Sequence, residues 1–87
     1  MTVTITPQQV LERTQPERDA LDVTIRMVGI DPADVALIEI HDDGRSTISV
    51  LTRDDSGAMV RDGDELQVRA HSGPDGFAYP EWVWSLA

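Results

Sequence analysis

The second half of the chain is cut at short intervals by turn-forming residues. Asp43-Gly44, Asp54-Asp55-Ser56-Gly57, Asp62-Gly63-Asp64 and Ser72-Gly73-Pro74-Asp75-Gly76 follow one another. Aspartate and serine side chains bond back to the nearby backbone, and glycine takes the positive φ that tight turns need. Segments between such breaks are too short for long helices. They suit strands that reverse direction at each turn. Residues 36–42 (ALIEIHD) and 46–53 (STISVLTR) read as two strands. Asp43-Gly44 between them is a hairpin signal. Residues 65–71 (ELQVRAH) read as a third.

The first half is patterned differently. Residues 2–6 (TVTIT) are β-branched and alternate, as a short strand does. Thr6 can then cap a helix with Pro7 in its first turn and Gln9 closing a capping box. Val10 and Leu11 give that helix one apolar edge, and Pro16 interrupts it. Residues 16–28 fit two patterns. Leu21, Val23, Ile25 and Met27 alternate as in a strand. Ala20, Leu21, Thr24, Ile25 and Val28 also form one helical face, with Arg18–Asp22 and Asp22–Arg26 spaced as i,i+4 pairs on the other. The ends favour the helix. Pro16 and Glu17 suit a first turn, and Gly29-Ile30 suits a left-handed cap with its hydrophobic contact. Asp31-Pro32-Ala33-Asp34 repeats the cap pattern and predicts one helical turn. In the aromatic C-terminal segment 77–87, Trp82 and Trp84 would share one face of a final strand. The expected architecture is α+β: one or two short N-terminal helices packed on a small antiparallel β-meander of three to five strands.

Eighty-seven residues predict a single small domain. A chain of this size buries only about 60–65% of the surface it exposes unfolded, so its core is small. No cysteine is present. Disulfides and thiolate-based zinc or iron–sulfur chemistry are therefore excluded, and a cytoplasmic location is expected. The N-terminus shows neither the basic start nor the apolar core of a signal peptide. No apolar run approaches the ~20 residues of a membrane helix.

Sixteen acidic residues oppose seven basic ones, for a net charge of −9. All seven are arginine, and asparagine is missing as well as lysine. A GC-rich genome or a high-salt organism accounts for that bias, and the source is expected to be prokaryotic or phage. The charge argues against direct binding of nucleic acid or an anionic membrane, each of which needs a cationic surface. It suits a basic protein partner. Composition leaves the oligomeric state open.

Candidate chemistry is sparse. The aspartates cluster at turns, but no twelve-residue window has a calcium loop's glycine at position six with glutamate at twelve. With Gly44 at six, position twelve is Val50, and with Gly63 at six, position one is Ala58. His41 and His71 fall on different strands with no metal-ligand spacing. The serines lie in no G-x-S-x-G or S-x-x-K context, and the glycines form neither a dinucleotide nor a phosphate loop. Catalytic, metal and cofactor residues are therefore expected to be none, and the chain is not expected to be an enzyme. Two features suit partner binding. Tyr79, Trp82 and Trp84 are large aromatics near a terminus, the residue types that dominate binding hot spots, although the two tryptophans more simply cover the small core as a final strand. Asp54, Asp55, Asp62 and Asp64 concentrate carboxylates at two neighbouring turns. The expectation is a non-enzymatic protein–protein interaction module: an adaptor, inhibitor or accessory subunit. The alternatives are an acidic mimic that inhibits a DNA- or RNA-binding protein, and a small phage or complex assembly component.

Overall fold

A computed structural model describes residues 2–86. In chain order the elements are β1 (Val3–Ile5), α1 (Pro7–Leu11), α2 (Gln15–Arg26), a 3-10 turn (Pro32–Asp34), β2 (Val35–Ile40), β3 (Ser46–Leu51), β4 (Arg61–Asp62), β5 (Glu65–Leu66), β6 (Val68–Ser72), a second 3-10 turn (Gly76–Ala78) and α3 (Glu81–Trp84). Strands β1-β2-β3-β6 form one antiparallel sheet, and β4-β5 a separate two-stranded one. The fold is the expected α+β arrangement.

Both N-terminal helices begin at reciprocal caps. Thr6 Oγ1 accepts from Gln9 N while Gln9 Oε1 accepts from Thr6 N at 2.7 Å. Thr14 and Glu17 repeat the arrangement at the start of α2. Each box satisfies amides that a helix start leaves without an intrahelical partner. Residues 16–28 are therefore helical for most of their length. Pro16 sits in the first turn, where its missing N–H costs nothing. Gly29 ends the helix at φ +79, and Ile30 tucks back into the core.

Leu21, Thr24 and Ile25 form the buried stripe of α2. Ala20 and Val28, expected inside, are exposed, because the helix rests on the sheet by a narrower stripe. Arg18 does not pair with Asp22. Its Nη2 donates to Gln15 Oε1 at 2.8 Å instead.

Val3, Ile5, Ile38, Ile40, Ile48 and Val50 point from the sheet toward the helices, and Tyr79 and Val83 close the core from the C-terminal side. The opposite sheet face is mostly small or polar: Thr4, Glu39, Thr47 and Ser72 lie in one cross-strand row.

Two strand expectations are corrected. Residues 65–71 are not one strand. The chain changes partner at Gln67, whose N–H donates to Val60 O while its carbonyl accepts from Thr52 N. Val60 N in turn donates to Thr52 O, and all three bonds are 2.9 Å. This closed ring of backbone bonds fixes the point where residues 53–66 leave the sheet as an arm. The C-terminal segment is not a strand either. Pro80 starts the short helix α3, which sets Trp82 and Trp84 about 200° apart instead of on one face. Ala87, the last residue of that segment, lies outside the described residues.

Candidate protein-docking surface

The aromatic segment is divided between core and surface. Tyr79 is 4% exposed, and its hydroxyl donates to Ser46 Oγ at 3.0 Å. Ser46 Oγ donates onward to Pro74 O at 2.5 Å. Gly73 N to Ser46 O and Gly76 N to Gly44 O tie the same stretch to the β2–β3 hairpin. A side chain at Gly73 would collide with Ser46 Oγ, so glycine is required there by the close approach of the two chains. Burial raises the Tyr79 phenol above its ordinary value, and the Ser46 contact only partly opposes this. Tyr79 thus has no free surface to offer a partner.

Trp82 is half-buried. Its Nε1 donates to Glu17 O at 3.0 Å, and the Arg13 guanidinium lies 4.9 Å from the ring centroid. It clamps α3 to the start of α2. Trp84 is 41% exposed, with its ring edge over Gly76. Of the three aromatics singled out from sequence, Trp84 alone keeps a broad solvent-facing side.

The carboxylates Asp54, Asp55, Asp62 and Asp64 all lie exposed on the arm, joined there by Glu65. They are not equivalent. Asp54 Oδ1 accepts from Ser56 Oγ, Ser56 N and Ala58 N at 2.6–3.0 Å, and these bonds hold its carboxyl below the usual carboxylate range. Asp54 organises its own turn. Arg53 anchors the arm to the body through Asp34 Oδ1, at 2.9 Å from Nε and 2.6 Å from Nη2.

Two features that the sequence reading missed lie on this surface. The first is apolar. Thr24 Oγ1 donates to Ala78 O at 3.0 Å, bringing the second 3-10 turn onto α2. Around that junction Val23, Met27 and Phe77 stay 62%, 70% and 91% exposed. The i, i+4 spacing of Val23 and Met27 was the available signal, and the helical pattern of residues 16–28 left both off its inward face without giving them a role. The second is the edge strand β6, whose residues are exposed apart from the half-buried His71. An apolar groove of about 220 Å³ also opens between α1, α2 and β2, lined by Val10, Leu11, Leu21, Ile25, Pro32 and Val35.

The two histidines are not brought together. His41 Nε2 lies 3.3 Å from Thr47 Oγ1 beside the hairpin turn. His71 pairs with Ile48 and lines a cleft with Gly29, Asp31, Asp34, Arg53 and Arg69. Among the described residues no group of three or more His, Cys, Asp or Glu side chains could hold a metal ion. No helix of the described residues is long and apolar enough to cross a membrane. Comparison of the chain with protein-family models, with curated proteins and with solved structures finds no match in any of the three.

Proposed function

We propose that this chain is a non-enzymatic protein–protein interaction module, an adaptor, inhibitor or accessory subunit, that works in the cytoplasm and meets a basic protein partner. The observation that carries the reading is the exposure of Val23, Met27 and Phe77, on the two elements that the Thr24–Ala78 hydrogen bond joins, in an otherwise strongly acidic molecule. A small protein gains nothing for its own stability from a phenylalanine 91% exposed. Apolar side chains grouped on a polar surface mark sites that a partner covers. The surrounding charge supplies selection, since complementary charge speeds encounter and excludes wrong partners.

A second reading, an acidic mimic that occupies a nucleic-acid-binding protein, is favoured by the arm. It gathers Asp54, Asp55, Asp62, Asp64 and Glu65 on one projection. The two readings respond oppositely to salt. The tagged chain is used to capture partners from lysate of its source, with washes at low and high ionic strength. The module reading expects a partner retained at high salt by the wild-type chain and lost when Phe77→Ala and Met27→Ala are combined. The mimic reading expects a nucleic-acid-binding partner released at high salt, because screening removes an ionic attraction. A retained partner indifferent to Phe77 and Met27 would overturn the apolar docking site.

A further inference from the structure

The edge of β6 is an open template for one more strand. Gly73 N donates to Ser46 O, and Thr52 N donates to Gln67 O. Antiparallel hydrogen-bonded pairs recur at every second residue. In the register Ile48↔His71 and Val50↔Arg69, the backbone groups of Arg69 and His71 therefore face β3. Those of Val68, Ala70 and Ser72 face away from the sheet. No proline interrupts the strand, and its outward-facing positions carry the small or neutral side chains of Val68, Ala70 and Ser72. The opposite edge differs: β1 is three residues long and α3 packs beside it.

We infer that β6 accepts an extended segment of a basic protein as an added antiparallel strand, with neutral residues at the centre of that segment and basic residues at its ends. This rests on the module reading above and names its partner's chemistry. Pairing centred on Ala70 gives complete exchange of backbone bonds at Val68, Ala70 and Ser72. The charges fix the rest. Arg69 and His71 face the incoming strand's central positions on the helix side, in a cleft where Asp31 and Asp34 balance Arg53 and Arg69, so no net charge calls for a cation there. The Val68 end runs through Gln67 into the exposed arm that carries Asp62, Asp64 and Glu65, with Arg61 as its neighbouring cation. Beyond the Ser72 end Asp75 and Asp43 line one cleft with Ser72, and Arg45 sits 3.4 Å from Asp43. Both ends are thus net acidic.

A second copy of this chain is the poorer occupant. Two copies bring a net charge of −9 to another −9.

The probe is a blocked peptide of roughly nine residues, long enough to span the strand and both acidic ends at ~3.4 Å per residue. It alternates valine and threonine between terminal arginines, and a control carries glutamate in their place. Binding is followed on the full chain by amide chemical shifts and hydrogen exchange at low salt. The expected result is slowed exchange at Val68, Ala70 and Ser72 with the arginine peptide and no binding of the glutamate peptide. Ala70→Pro removes an outward N–H and no ladder bond, as an edge strand tolerates, and it should weaken binding at least about tenfold. A peptide N-methylated on the amides that face β6 should fail equally, which keeps the test valid if Ala70→Pro disturbs folding.

Binding that survives both Ala70→Pro and N-methylation would assign attraction to the acidic surface and overturn the edge site. Self-association abolished by Ala70→Pro, without peptide binding, would make the second copy the occupant and overturn the basic segment. Absence of both would overturn the inference while leaving the Phe77 and Met27 capture result, and so the module reading, untouched.

Discussion

The bonds among Tyr79, Ser46 and Pro74 decide whether the C-terminal segment belongs to the cooperative core. Ser46→Ala leaves the Tyr79 hydroxyl, 4% exposed as a residue, without its acceptor, and Pro74 O without its donor. A buried polar group left unsatisfied costs about 1–3 kcal/mol. Tyr79→Phe removes one hydrogen bond and leaves Ser46 still donating to Pro74, for a cost of about 0.5–1.5 kcal/mol. The double variant no longer buries an orphaned hydroxyl. Its loss should therefore fall short of the sum of the singles, with a coupling of ~1 kcal/mol. At 4–8 °C of Tm per kcal/mol for a domain of this size, Ser46→Ala should melt roughly 4 °C or more below the parent. Thermal and urea unfolding followed by circular dichroism give all four corners of the cycle. Additivity within about 0.3 kcal/mol, the scatter expected of independent sites, would mean that the segment rests on the body without sharing its core.

Four further outcomes follow from the structure. Burial raises the Tyr79 phenol, so the folded state binds its proton more tightly than the unfolded chain. That contribution is complete below pH ~10 and is lost as pH rises through the folded value; the alkaline fall in stability should flatten in Tyr79→Phe, and an unchanged slope would refute the assignment. Truncation after Gly76 removes Tyr79 and the fully buried Val83 and should abolish the cooperative unfolding transition, whereas a folded fragment would show that these side chains only line the surface. Thr14→Ala breaks the α2 capping box and should lower stability by about 1 kcal/mol, and Asp54→Ala should speed amide exchange at Ser56 and Ala58 while leaving global stability nearly unchanged.

Local chemistry wrote the turns, caps and helix boundaries into the sequence. Thr6 with Gln9, Pro16 with Glu17, Gly29 with Ile30 and Asp43-Gly44 each act within a few residues, so their geometry follows from spacing alone. Net charge and the lack of cysteine were equally plain. What needed tertiary structure was every feature created by distant parts of the chain meeting. Gln67 looked like mid-strand, yet it hands its N–H to Val60 and its carbonyl to Thr52. Trp82 and Trp84 alternated like strand residues, but a helical turn lets Trp82 reach Glu17 O and Val83 reach the core. Tyr79 suited core or partner on composition alone, and only the approach of Ser46 across Gly73 assigned it to the core. The open edge of β6 was likewise invisible, because a strand's hydrophobic pattern records which face is covered and not which of its edges has a neighbour.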